Sequence, residues 1–163
     1  MTDPVLSIRN LTVEIPTRHG VFKPVEHVTY DLHPGEIRGV VGGSGAGKSM
    51  TGNAVIGLLD PPAHVSEGEV WLNGRRIDAL DAEDKRRIRG KEIGMIFQDP
   101  LTSLNPLFTV GEQLVETLQL HLGLSASEAK KRAIALLDRV SIPDPAERFN
   151  QYPHQFSGGM RQR

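Results

Sequence analysis

Hydrophobic and polar positions alternate along the first third of the chain, whereas apolar positions recur at helical spacing along the last third. Alternating or β-branched runs predict five strands, over residues 5–9, 11–15, 25–32, 68–72 and 92–97. A break is predicted over residues 16–20, where Pro16 and Gly20 interrupt the pattern. Asn73-Gly74 predicts a hairpin turn into residues 75–77. The first part of the chain is therefore expected to be rich in β-structure.

Beyond residue 98 the pattern favours helices. Residues 109–112 and 125–128 each place a Thr or Ser three positions before a Glu, which is the capping-box pattern that opens a helix. The two helices are expected to run to about His121 and about Val140. The second one carries apolar residues at helical spacing, and these predict its core face: Ala129, Ala133, Leu136, Leu137 and Val140.

Residues 42–49 fit the pattern G-x-x-x-x-G-K-[ST] of a phosphate-binding loop. A short apolar strand is predicted over residues 36–41 and a helix over residues 49–59, and strand, loop and helix is the order that this motif needs. Glycines let successive N–H groups point at phosphate oxygens, and the helix N-terminus adds unpaired donors. The phosphates are expected to meet the following residues: Gly42, Gly43, Ser44, Gly45, Ala46, Gly47, Lys48, Ser49 and Met50.

Within that loop, Lys48 would contact the β- and γ-phosphates, and the Ser49 hydroxyl would ligate Mg²⁺. The alternative is an ordinary glycine-rich turn, which the flanking strand and helix patterns disfavour. The loop alone leaves kinases, GTPases, helicases and transport ATPases open.

Composition narrows the range of partners. The chain has 163 residues, with 19 Lys and Arg against 20 Asp and Glu and a formal net charge of −1, so it has no general attraction to nucleic acid or anionic lipid. Basic residues cluster over 85–91 among acidic ones, which predicts the solvated face of a short helix over 82–89 capped by Asp81. No cysteine is present, which excludes disulfides and thiolate metal sites, and the six histidines lack metal-ligand spacing. No apolar run approaches the ~20 residues that cross a bilayer, and no signal peptide is evident. We therefore expect a cytoplasmic protein that touches the membrane only peripherally.

Two further segments identify a family by resemblance. Gln98 stands at the end of a predicted strand, in the run Ile96-Phe97-Gln98-Asp99-Pro100, and this run resembles the Q-loop of ABC ATPases. Residues 156–160, Phe-Ser-Gly-Gly-Met, resemble the LSGGQ signature of that superfamily, with Phe156 and Met160 departing from it. Ser157 can cap the helix that follows, and two glycines leave the backbone bare for close approach to phosphate. The alternative for this segment alone is a plain Ser-Gly-Gly helix start.

Residues 93–106 and 152–163 resemble the ATP-binding subunits of oligopeptide, dipeptide and nickel importers, and the likeness runs from about Leu6 to Arg163. Gly43 departs from that subfamily, which usually has Glu there. The resemblance implies an α/β fold of the P-loop NTPase (ABC ATPase) type, with an N-terminal antiparallel β subdomain and a helical subdomain, and with the C-terminal strands missing. The expected boundaries are 1–97 for the nucleotide-binding core and 98–163 for the helical subdomain.

The same resemblance implies the partners and the roles of residues. ATP and Mg²⁺ would be the cofactors, with Gln98 sensing Mg²⁺ or the attacking water and with Ser157, Gly158 and Gly159 closing on the nucleotide of a second ATP-binding subunit, identical or related. Residues 99–108 would face the membrane permease subunits, and an extracytoplasmic substrate-binding protein would take part only indirectly. No nucleic acid is expected. Phe22 is the available aromatic residue for stacking adenine, although a loop or core phenylalanine explains it equally well.

No apolar strand ending in Asp-Glu (the Walker B pattern) and no switch histidine is matched in these 163 residues. We therefore expect ATP binding with poor turnover. Parallel core strands without neighbours would expose apolar surface, so the isolated chain is expected to be unstable or prone to aggregation. Peptide import is the favoured function, with nickel import close to it. The alternatives are a hydrolysis-deficient nucleotide-binding remnant and a non-transport ABC ATPase of DNA repair or the ribosome.

Overall fold

A computed structural model describes residues 3–99 and 102–163 of the chain. It divides into two compact units, Met1–Met95 and Ile96–Arg163, here called the sheet unit and the helical unit. The described residues of the sheet unit form four strands and two helices, in the order β1 (Leu6–Thr17), β2 (Gly20–Leu32), α1 (Lys48–Val55), β3 (His64–Leu72), β4 (Arg75–Arg76) and α2 (Ala82–Ile88).

The strands of the sheet unit form one antiparallel sheet in the order β2-β1-β3-β4. The two strands predicted over residues 5–9 and 11–15 are one continuous strand, β1. Asn10 interrupts it with a left-handed backbone (φ 51°), and the register shifts there. Its N–H donates to Thr29 Oγ1 at 2.8 Å, so the irregularity is bridged by a side chain and the strand continues.

Two hairpins connect these strands. The predicted break over 16–20 is narrower than expected, because β1 and β2 pair as far as Thr17 and Gly20. The predicted hairpin at Asn73-Gly74 is confirmed: both residues have positive φ, 49° and 76°, as a primed two-residue turn requires. The core of the sheet unit buries apolar residues of the sheet together with residues of α1: Ile8, Leu11, Val13, Val25, Val70, Leu72, Ala54 and Val55.

The strands predicted over residues 36–41 and 92–97 are wrong for the described chain, since both segments lie outside its strands and helices. Ile93 makes one isolated bridge, to Arg89. Ile37 and Val41 are 99% and 94% exposed. A buried parallel strand needs hydrogen-bonded neighbours on both sides, and apart from the bridge between Ile93 and Arg89 no described segment pairs with either run. Apolar sequence alone therefore did not make a strand there.

The helical unit contains α3 (Val110–Leu122), α4 (Ala126–Arg139), α5 (Pro145–Arg148), a 3₁₀ turn (Pro153–Gln155) and α6 (Gly158–Gln162). Both predicted capping boxes are confirmed: Thr109 exchanges hydrogen bonds with Glu112, and Ser125 does so with Glu128. Along α4 the predicted core face holds for Ala129, Ala133 and Leu137, which are buried, and for the partly buried Leu136. It is wrong for Val140, which is the C-cap of α4 and is 38% exposed.

The first turn of α3 is joined to the segment that precedes α6. The N–H of Val110 donates to Gln151 O at 2.9 Å, and the N–H of Gly111 donates to Phe149 O at 2.8 Å. A side chain at Gly111 would collide with the carbonyl oxygen and the ring of Phe149. Glycine is therefore required for this close approach, and two of the unpaired donors of the helix N-terminus are satisfied by it.

Candidate functional site

The glycine loop of residues 42–47 has the backbone that its sequence predicts. Gly45 and Gly47 both have φ near +78°, the left-handed region that glycine adopts without strain. Gly47 is the N-cap of α1, which begins directly at Lys48. The left-handed backbone at these two glycines thus connects the loop to the helix within a few residues.

Gly47 also fixes where the loop sits. A Cβ atom at this position would collide with the carbonyl oxygen of Pro24 and crowd the side chain of Val25, both on β2. The loop can lie against this strand only because residue 47 lacks a side chain. The sequence gives no sign of this contact, because the two segments are more than twenty positions apart and no local pattern links them.

The Lys48 ammonium spans the loop, with Nζ donating to the carbonyl oxygens of Gly42 and Gly43 at 2.7 Å each. Inside the loop, Ala46 N–H donates to Gly43 O at 3.3 Å. Among the described residues, no backbone carbonyl accepts the N–H groups of Gly45, Gly47 and Lys48. Unpaired main-chain donors, a helix N-terminus and an exposed ammonium converge here, and this is the chemistry that holds an anion such as a phosphate.

Ser49 and Met50 follow in the first turn of α1 and face different surroundings. Ser49 is exposed, so its hydroxyl is free to act as one of the oxygen ligands that Mg²⁺ prefers. The Met50 side chain packs against the core of the sheet unit. The contribution of Met50 to the predicted phosphate site is therefore limited to its main chain.

The opposite end of α1 is held by a basic side chain, that of Arg89. Arg89 donates from Nε to Ile56 O at 2.8 Å and from Nη2 to Gly57 O at 2.7 Å, while Lys85 Nζ donates to Asp78 O at 2.7 Å. The predicted solvated face is therefore wrong for Arg89 and Lys85, which are half-buried. A cation on the last carbonyls of a helix also offsets its dipole. The helix that starts at the glycine loop is thus anchored at its far end as well.

Phe22 lies on β2 and is 57% exposed, opposite Ile15 in the β1–β2 pair. This position rules out a core role. Phe22 is two residues before Pro24, which the glycine loop contacts. An exposed aromatic ring is therefore available on the strand that carries the loop.

The remaining predicted site residues belong to the helical unit. Gln98 is exposed, and Pro100 and Leu101 of the segment that follows it lie outside the described residues. Ser157 caps α6, its Oγ accepting the N–H of Met160 at 3.3 Å, as the sequence predicts. A Cβ added to Gly158 or Gly159 would meet nothing within 4 Å, so the main chain there is open to an approaching group.

Phe156, which departs from the usual Leu of the signature, is buried in the core of the helical unit, and Met160 packs against that core. The segment is therefore still anchored by a buried apolar residue, Phe156, directly before the exposed Ser157, Gly158 and Gly159. The substitution preserves the presentation of these three residues.

The glycine loop leads directly into α1, and Lys48 lies across it. This arrangement defines a P-loop protein with the α/β fold of the ABC ATPases. The chain belongs to the ABC transporter family, since the family model described as "ABC transporter" matches residues 25–163. The resemblance drawn from the Q-loop and signature segments is thus confirmed.

Several relatives are ATP-binding proteins of peptide transport. The chain is 48% identical over 162 residues to the dipeptide transport ATP-binding protein DppD of Bacillus subtilis, covering 99% of this chain and 48% of that protein. It is 45% identical over 160 residues to the oligopeptide transport ATP-binding protein OppD of the same organism, covering 98% and 45%. The chain thus spans about half the length of the curated relatives it matches.

Solved structures give the same fold. The dimeric structure of MJ0796, a bacterial ABC transporter cassette, matches with a TM-score of 0.82 and 27% identity, over 96% of this chain and 65% of that one. A second structure of MJ0796, a dimeric post-hydrolysis state bound to ADP and Pi, matches equally well. The predicted fold class is confirmed. Among the described residues, no helix combines the length and apolar character needed to cross a lipid bilayer.

Proposed function

We propose that this chain binds the phosphates of MgATP as part of the ATP-binding subunit of an ABC importer that takes up peptides. The observation that carries the proposal is the Lys48 ammonium, which lies across a loop whose N–H groups have no backbone acceptor among the described residues. The family match and the peptide-transport relatives support the same function.

In this proposal the loop amides and Lys48 bind the β- and γ-phosphates, and the Ser49 hydroxyl is a ligand of Mg²⁺. Lys48 would exchange the carbonyl oxygens of Gly42 and Gly43 for phosphate oxygens, which bind an ammonium more strongly because they are charged. Mg²⁺ would neutralise charge on the phosphates when bound. Phe22, exposed on β2, is our assignment for the ring that stacks on the base.

The helical unit would act on other subunits. We assign Ser157, Gly158 and Gly159 to the nucleotide held by a second ATP-binding subunit, supported by the open backbone that these residues present. Residues 99–108 would contact the permease subunits, which places the protein at the cytoplasmic face of the membrane. The extracytoplasmic substrate-binding protein would be reached only through that permease.

Hydrolysis is assigned to the complete subunit. It requires a group that orients the attacking water and ligands that hold Mg²⁺ against the phosphates. Gln98 is the residue of this chain that we assign to sensing the water or Mg²⁺. Peptide is favoured over nickel as the cargo because the relatives are named for dipeptide and oligopeptide transport.

The binding proposal is tested by Lys48→Ala, with MgATP affinity measured by titration calorimetry on the 163-residue chain. The loss of charge-assisted bonds to phosphate should weaken binding by about 10- to 100-fold. Lys91→Ala is the matched control, because it removes the same charge from an exposed position of the sheet unit. Unchanged affinity in Lys48→Ala, or an equal loss in Lys91→Ala, would contradict the assignment.

The transport proposal is tested by isolating the complete subunit from membranes. A permease should co-purify with it, and vesicles containing the assembly should accumulate peptide in an ATP-dependent manner. Co-purification with ribosomes or DNA instead would favour a non-transport ABC ATPase. Nickel uptake without peptide uptake would retain the importer and change its cargo.

A further inference from the structure

The side chain of Gln113, in the first turns of α3, binds the loop that precedes its own helix. Its Oε1 accepts the N–H of Asn105 at 2.9 Å, and its Nε2 donates to Asn105 O at 3.0 Å and to Phe108 O at 3.1 Å. The side-chain amide thus offers one residue both a donor and an acceptor, as a neighbouring strand would. Gln113 thereby adds to the single long main-chain bond of this loop, from Phe108 N–H to Asn105 O at 3.4 Å.

Two further bonds complete the loop. The N–H of Leu107 donates to Asn105 Oδ1 at 3.0 Å, which closes a turn on the Asn side chain. The N–H of Thr109 donates to Glu112 Oε2 at 2.7 Å as part of the capping box. The loop over residues 105–109 is therefore held in one shape from both ends. Gln113 binds Asn105 and Phe108, and Glu112 binds Thr109.

This shape presents two apolar side chains to the solvent. Leu107 is 79% exposed and Phe108 is 52% exposed. We call this pair the apolar tip. Residues 102–110 contain no charged side chain. A nucleic acid or an anionic lipid surface would find nothing to pair with here, whereas an apolar face of a helix would.

The size of the apolar tip also restricts its partner. A stable dimer buries about 1,200 Å² or more in total, of which two side chains supply only a part. A small preformed apolar contact suits a partner held in place by a larger assembly, where ordering the loop in advance lowers the cost of docking. A second copy of the chain is therefore disfavoured as the partner that docks at the tip.

We propose that Gln113 is a positioning residue that holds the apolar tip in the geometry in which a short apolar-faced helix of the membrane permease docks. The inference rests on the proposed function, and it adds to it the residues that make the contact and the residue that organises them. Gln113 itself need not touch the permease.

The first experiment measures the loop directly in the 163-residue chain. The chain has no cysteine, so Leu107→Cys gives a unique site for a spin label on the tip. Gln113→Ala should raise the mobility of the label, and Gln113→Glu, which keeps an acceptor for Asn105 N–H but loses the donor, should raise it less. Gln119→Ala, an exposed glutamine on the same helix, is the matched control and should leave it unchanged. Equal mobility in all four backgrounds would overturn the role of Gln113.

The second experiment uses the complete ATP-binding subunit assembled with its permease, with a photo-reactive benzoylphenylalanine placed at Phe108. Irradiation should yield an adduct with the permease. Gln113→Ala should lower the yield about fivefold, in line with the loss of a few net hydrogen bonds, and Gln119→Ala should not. MgATP affinity should stay the same in both variants, which separates positioning of the tip from a general loss of structure.

The outcomes distinguish this inference from the proposed function. Equal permease adducts in all variants would overturn the role of Gln113 and leave the importer proposal standing. Adducts between two ATP-binding subunits would overturn the assignment of the partner. No adduct, together with no permease in the purified assembly, would overturn both proposals.

Discussion

The helical unit and the phosphate-loop segment of the sheet unit both carry large apolar side chains, yet they bury them to opposite extents. Leu137 of α4 is 6% exposed, whereas Ile37 and Val41 just before the loop are 99% and 94% exposed. The helices satisfy their backbone within their own turns and need only one partner face to bury a stripe. A parallel strand needs neighbours for its backbone and covers for both faces. Burial therefore follows the kind of element, and apolar composition alone does not decide it.

The largest effect expected from this comparison comes from truncating apolar side chains in both regions. Leu137→Ala should destabilise the helical unit by about 2–5 kcal/mol, because a cavity is left in its core. Ile37→Ala should change the stability of the sheet unit by less than about 0.5 kcal/mol. Trp71, the single tryptophan, lies in β3 and reports the sheet unit by fluorescence, while circular dichroism reports mainly the helical unit.

Leu120→Ala, at an exposed position of α3, is the control within the helical unit and should resemble Ile37→Ala. A large loss of stability in Ile37→Ala would mean that this side chain is covered in solution. The two regions would then not differ in how far they bury their apolar side chains.

Glycines give the next largest contrast. Gly111→Ala should cost the helical unit about 1–3 kcal/mol, because the new methyl group overlaps Phe149 and forces the first turn of α3 away from it. Gly39→Ala, in the phosphate-loop segment, meets no atom within 4 Å and should be nearly neutral. Urea unfolding followed by both probes measures the two effects. A neutral Gly111→Ala would show that α3 does not need this close approach.

Helix caps are expected to stabilise the helical unit by a smaller amount. Ser125→Ala should destabilise the helical unit by about 1 kcal/mol, because the N–H of Glu128 loses its acceptor at the start of α4. Ser127→Ala, two residues on and exposed in the same turn, is the control. Thermal unfolding followed by circular dichroism should separate the two variants. Equal midpoints would show that this cap does not stabilise the helical unit.

The smallest expected effect is a pH dependence. Hydrogen bonds from the Thr109 main chain and hydroxyl hold the pKa of Glu112 below its ordinary value of 4.5, and bonds from the Ser125 hydroxyl and main chain do the same for Glu128. A lowered carboxyl pKa contributes stability above the unfolded value, and this contribution is lost as the pH falls through the folded value. The helical unit should therefore lose stability gradually as the pH falls below about 4.5, the ordinary value of both carboxyl groups.

Glu112→Gln tests this dependence, because an amide oxygen can still accept the Thr109 N–H and does not titrate. Its stability should vary less with pH over the same interval, measured as thermal midpoints by circular dichroism. An identical pH profile in wild type and Glu112→Gln would show that this capping carboxylate does not contribute.

Local features were the ones that the sequence predicted well. Both capping boxes, the Asn73-Gly74 turn and the glycine loop depend on residues a few positions apart, so their spacing carries the necessary information. Contacts between distant segments could not be predicted this way. The hydrogen bond from Arg89 to Ile56 O depends on how α2 packs beside α1. The basic run around Arg89 instead predicted a solvated helix face.

The strand predicted over residues 36–41 failed for a related reason. Its apolar pattern indicated that these side chains are suited to burial, but no pattern within the segment states which neighbours bury them. Gln113 shows the same limit at the candidate permease contact. Its sequence position, four residues after a helix cap, gave no sign that its side chain binds Asn105.

The two hydrogen bonds at the start of α3 have a mechanical consequence. The loop over 105–109 and the segment over 149–151 are both fastened to the same end of a helix roughly 20 Å long. A displacement of the loop is then transmitted to the segment over 149–151 across a single helical turn. The start of α3 therefore couples the position of the loop to the position of that segment.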